Sequence, residues 1–143
     1  MLDNAPPHST CNRCLSTRAL RLTALLLWAA ALVYLSLNPD VKAPSGALGW
    51  DKLNHFAAYA VLAVLLIRAL LAWRAVTIRL LAVVWASCVA YGALIEGLQW
   101  LMALGRTWEW GDMLANALGA LVMCVVFRLA LRRFSLANDH RSP

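Results

Sequence analysis

Four stretches of the chain run apolar for long enough to cross a lipid bilayer, and polar segments separate them. They cover 21–37, 53–73, 80–102 and 112–131. Behind Arg21, the last sixteen residues of the first stretch carry no charge. His55 and Arg68 interrupt the second, Glu96 the third, and Arg128 the fourth, which opens on Asp112. A helix needs about 20 apolar residues to span the hydrocarbon core. Leu, Ala and Val dominate all four runs, and no proline lies inside any of them. At a period of 3.6 each run is apolar nearly all round, as a helix facing lipid is. The pattern predicts an all-α polytopic membrane protein, a bundle of four transmembrane helices, rather than a soluble four-helix bundle.

Composition agrees. Apolar residues make up 62% of the 143 and charged residues only 14%, where a soluble domain carries about 25% charge. That excludes disorder and an ordinary cytosolic enzyme. The net charge of +6 does not point to nucleic acid, because the basic residues flank the apolar runs instead of forming one patch. Ten of them (Arg13, Arg18, Arg21, Arg68, Arg74, Arg79, Arg128, Arg132, Arg133 and Arg141) fall on one side of the expected bundle. Lys42, Lys52 and Arg106 fall on the other. The positive-inside rule then places both termini of a multi-pass protein in the cytoplasm. The first run reads as an anchor rather than a signal peptide, since no clear A-x-A site follows it. Residues 1–17 and 134–143 read as cytoplasmic tails, the former mobile, around a membrane domain at 18–133.

Polar groups inside a membrane are costly, so each is a functional candidate. In the second run Asp51, His55 and Tyr59 recur at i, i+4, i+8 and form one stripe, with Lys52 beside it. The third ends with Tyr91, Gly92, Glu96 and Gln99. Arg106 follows in the connecting segment, and the fourth opens with Asp112, Asn116 and Gly119. With alternating helix direction, all three stripes descend from the outer surface. At about 1.5 Å per residue, Glu96 lies roughly 9 Å inside the end near Met102. Lipid cannot satisfy such stripes, so they must face one another or a water-filled cavity. Gly92, Gly97 and Gly119 are expected to let backbones approach there. The stripes serve either as a polar clamp between helices or as a site.

As a site, His55, Glu96 and Asp112 are the candidates for acid–base work. Asp51, Lys52, Tyr59, Tyr91, Gln99, Arg106 and Asn116 are the candidates for binding. Arg106 and Lys52 suit a phosphate or carboxylate, so an anionic lipid or a lipid-linked wall precursor fits best. Whether a reaction occurs stays open. No cofactor and no metal is expected: Asp51, His55, Glu96 and Asp112 have suitable ligand chemistry, but nothing like H-E-x-x-H is present. Cys11-x-x-Cys14 with His8 offers three ligands where structural zinc takes four. Cys88 and Cys124 read as small packing residues. Trp50, Trp100, Trp108 and Trp110 gather at the outer boundary as an interfacial belt.

The ordered motifs Asp51-Lys52-x-x-His55-x-x-x-Tyr59, Tyr91-Gly92-x-x-x-Glu96-x-x-Gln99, Arg106 and Asp112-x-x-x-Asn116-x-x-Gly119 resemble the VanZ-like family of small bacterial membrane proteins, named for a teicoplanin-resistance protein. The resemblance covers 51–127, with Met123 where a small residue is common. It implies a polytopic protein of the cell envelope linked to glycopeptide tolerance. It brings no established reaction.

Overall fold

The computed structural model describes residues 8–38, 48–102 and 109–139, with side chains at 15–38, 51–102 and 109–133. Every described element is helical: α1 (His8–Leu37), α2 (Leu48–Leu70), α3 (Ile78–Leu101) and α4 (Trp110–Asp139). Each holds a segment long and apolar enough to cross a membrane: Leu15–Leu37, Asp51–Leu70, Ile78–Leu101 and Trp110–Arg133.

The helix boundaries differ from the apolar runs for local reasons. α1 begins at His8, immediately after Pro6 and Pro7, where proline is compatible with a helix start and not with an interior. Residues 8–17 are therefore helical although polar. α2 stops at Leu70, before its apolar run ends. Ala72 N–H bonds to the Ala69 carbonyl and Trp73 N–H to that of Leu70, tightening the chain into a turn. Thr77 then caps α3, its Oγ1 accepting from Leu80 N–H at 3.1 Å.

One stripe per helix builds the core of the α2–α4 unit. In α2 it contains Tyr59, Leu62, Ala63 and Ile67, in α3 Leu81, Val84, Cys88 and Ile95, and in α4 Ala120 and Cys124. The same stripes continue toward one end of the bundle as buried Glu96 and Gln99 on α3 and Asp112 and Asn116 on α4. The inward face is thus apolar through the middle and polar at that end, where α2 and α4 begin and α1 and α3 finish.

Helix α2 packs most closely against α4. A Cβ built on Gly119 would lie 2.1 Å from the Phe56 carbonyl oxygen, so the two backbones are in contact there. Gly92 opposes side chains instead, those of Asn116 and Tyr59. Gly97 is a correction to the sequence reading: nothing lies within 4 Å of a Cβ placed on it, and no backbone approaches.

α1 stands apart. Among the described residues it contacts α2 and α3 but not α4, and Leu32 is its one buried core residue there. Hydrogen bonds to helix carbonyls hold it. Trp28 Nε1 donates to Ala58 O at 3.0 Å, Tyr91 Oη to Ala29 O at 2.8 Å, and Gln99 Nε2 to Ser36 O at 2.7 Å.

Candidate functional site

The polar end is built from α2 and α4, which run in the same direction and start side by side. Asp51, Lys52 and His55 occupy the first two turns of α2. Asp112 and Asn116 occupy the first two of α4. The 3.6-residue period sets each group on one face, and the Gly119–Phe56 contact one turn deeper brings those faces together.

His55 is the hinge of the cluster. Its Nδ1 lies 3.2 Å from Asn116 Oδ1. An amide oxygen only accepts, so this contact is a hydrogen bond in the forms of the ring that carry a proton on Nδ1. The other ring nitrogen, Nε2, is 3.7 Å from Asp112 Oδ2. Asn116 is 2% exposed, and Gly92 leaves it room, since a Cβ there would come 3.0 Å from Asn116 Nδ2. The His55 ring is therefore oriented by a buried partner on the facing helix.

Asp112 joins the buried and open halves. It is 7% exposed, yet Lys52 Nζ lies 3.6 Å from its Oδ1. The same ammonium is 3.4 Å from Glu109 Oε2. Both Lys52 and Glu109 are well exposed, with side chains at 40% and 54%. Asp112 sits in the first turn of α4, where the helix dipole favours a carboxylate. Its Oδ1 is buried and has no hydrogen-bond partner.

The remaining sequence-predicted residues divide. Tyr59 and Glu96 are buried, and Tyr59 lies within electrostatic range of Glu96 and Tyr91. Tyr91 and Gln99 use their donors on α1 carbonyls, so the contacts they make are interhelical. Lys52 and His55 engage Asp112. Arg106 and Trp108 lie outside the described residues, as do the side chains of Cys11 and Cys14. Cys88 and Cys124 are buried and free. Cys124 Sγ approaches Leu81 O at 3.6 Å.

Four contributors were not among the site candidates of the sequence reading. Glu109 shares Lys52 with Asp112. Gly111 leaves the lane along which the Lys52 stem runs, since a Cβ there would come 2.6 Å from Lys52 Cε. Trp28 and Trp85 bond the carbonyls of Ala58 and Ala117 on neighbouring helices. A glycine next to a helix start and an aromatic residue in an apolar run carry no signal of such contacts. Trp100 and Trp110 are exposed at this end of the bundle.

Chemically, the described cluster offers three carboxylates, from Asp51, Glu109 and Asp112, against one ammonium and one imidazole. No curated protein and no solved structure matches the chain. The VanZ/LLP1 family model matches residues 12–131, a span that takes in α1 as well as the three helices of the polar stripes. Four membrane-length helices carrying this ordered set of polar residues, matched over most of their length, make the chain a multi-pass membrane protein that belongs to the VanZ/LLP1 family.

Proposed function

We propose that the protein resides in the bacterial cytoplasmic membrane with both termini inside, and that its polar end faces outward to bind an anionic lipid or lipid-linked wall precursor. The observation that carries this reading is the pairing of buried and open parts in one cluster. Asp112, Asn116 and Glu96 are buried, while Lys52 and Glu109 reach the surface at the same end. A head group at the membrane boundary meets that end first. Lys52 is the described cation for an anionic ligand, and Arg106 in the adjoining connection is the second by sequence. The link to glycopeptide tolerance follows from such a ligand, because a wall precursor is what a glycopeptide sequesters.

A comparison of lipids and wall precursors between deletion and wild-type cells tests the ligand. Glu96→Gln tests the site. It keeps the side chain's shape and removes its charge. The expected outcome is a variant that accumulates normally, unfolds at the wild-type temperature in detergent and fails to complement the deletion. Full complementation would reduce the buried polar residues to a clamp.

The clamp is the alternative, with the chain as a structural subunit or small oligomeric transporter. One observation favours it for part of the stripe. Tyr91 and Gln99 bond to α1 carbonyls, so these two binding candidates have a structural use.

A further inference from the structure

Asp51 and His55 on α2 and Asp112 on α4 each bring one ligand-type atom into a group whose members all lie within 4.8 Å of one another. A first-row divalent ion binds carboxylate oxygen and imidazole nitrogen at about 2.0–2.2 Å. Neighbouring donors in such a shell are then about 3–3.5 Å apart. The His55 Nε2–Asp112 Oδ2 separation of 3.7 Å is already close to that. Asp51 and His55 are only partly buried, so their side chains have room to close the remainder.

Two observations separate this group from an ordinary patch of acids. The first is the carboxylate of Asp112. It is more than nine-tenths buried, faces His55, and holds an Oδ1 with no hydrogen bond. A carboxylate oxygen at that depth is expensive unless a cation compensates it, and the ammonium within reach, that of Lys52, stands 3.6 Å away on an exposed stem. The second is the orientation of His55. With Nδ1 facing Asn116 Oδ1, the other ring nitrogen, Nε2, faces a carboxylate oxygen at 3.7 Å. A cation held between that nitrogen and that oxygen meets a donor on each side. A ligating histidine ordinarily donates its other ring N–H to a buried oxygen, and Asn116 Oδ1 is placed to receive it.

Lys52 supplies the third strand of the argument. Its ammonium lies 3.6 Å from Asp112 Oδ1, on an exposed and flexible stem, with Glu109 3.4 Å away as a second partner. A monovalent cation on a swinging arm thus competes for the carboxylate a metal would use, and Glu109 receives the arm when it leaves. Charge points the same way. Three carboxylates against one ammonium leave the described cluster negative, which disfavours a phosphate, and a divalent ion neutralises that charge.

We propose that Asp51, His55 and Asp112 form a binding site for a divalent metal ion, with Asn116 orienting the imidazole and Lys52 as the displaceable internal competitor. Two carboxylates and an imidazole suit Mn2+ or Zn2+, and three protein ligands leave positions open toward the exposed end.

The test uses the full chain purified in detergent without added lipid, carrying Cys11→Ser and Cys14→Ser to remove the amino-terminal thiols. Mn2+ binding is followed by loss of the free-ion electron paramagnetic resonance signal, and Zn2+ is then titrated in as a competitor. The expected result is one Mn2+ per chain, released by Zn2+. Asp112→Asn and His55→Ala should weaken binding by more than about tenfold, and Asn116→Ala by about tenfold. Lys52→Met should tighten it several-fold. That substitution lies on the exposed rim, so it tests the idea even where a change at a buried residue prevents folding. Absence of binding at millimolar Mn2+, equal affinity in Asp112→Asn, or weaker binding in Lys52→Met would each overturn the proposal. Because lipid is absent, such a failure leaves the anionic-ligand reading standing, and that reading fails separately if deletion changes no lipid or precursor.

Discussion

His55 meets two residues of α4 with its two ring nitrogens, 3.2 Å from Asn116 and 3.7 Å from Asp112. That is why a residue only half sunk in the bundle has a defined orientation. Asn116 in turn depends on the missing side chain of Gly92, so a glycine on α3 sets the direction of a histidine on α2. By contrast, Tyr91 and Gln99 share the buried polar stripe without joining this cluster. Tyr91 donates to the Ala29 carbonyl inside α1, and Gln99 to the Ser36 carbonyl in its last turn. Interhelical bonds of this kind are worth about 0.6 kcal/mol on average in membranes. Tyr91→Phe and Gln99→Ala should therefore lower the unfolding temperature in detergent only slightly, and complementation should survive. Loss of function at wild-type stability in either variant would move that residue from the clamp to the site.

Among the elements, the four spans and the inward stripes were legible in the sequence, because burial in a helix repeats every three to four residues whatever its chemistry. Asp112, Asn116 and Gly119 announce a face as clearly as Leu81, Val84 and Cys88 do. The docking of α1 was not legible. It rests on backbone carbonyls, which every residue has, and on tryptophans indistinguishable in sequence from lipid-facing ones. The roles of the glycines were half legible: Gly119 does sit at a backbone contact, whereas Gly97 faces open space. The two give opposite predictions. Gly119→Ala places a methyl 2.1 Å from the Phe56 carbonyl, so α2 and α4 must separate at a cost of about 1–3 kcal/mol or more. It should lower both the unfolding temperature and the membrane level of the protein. Gly97→Ala meets nothing and gains about 0.5–1 kcal/mol of helix preference. It should be neutral or slightly stabilising, and thermal unfolding of the two variants side by side checks both.

For the molecule as a whole, four spans would return the chain to the side on which it started, and the arginine-rich segments predict the cytoplasmic side. On a cysteine-free background, Ser45→Cys should react with an impermeant reagent from outside, while Val76→Cys and Asn138→Cys should react only after permeabilisation. External labelling at 138 would mean that the orientation or the number of crossings is wrong. The pairing of α2 with α4 also has a consequence for how the protein is made. His55 and its partner Asn116 are 61 residues apart in sequence. At about 5–20 residues per second, the ribosome needs roughly 3–12 s to deliver the second after the first. Throughout that interval Asp51 and His55 lack the helix that carries their partners Asp112 and Asn116. A nascent chain stalled before residue 112 therefore carries an unshielded polar seam, and truncation there should lower the membrane level of the protein below that of the full chain.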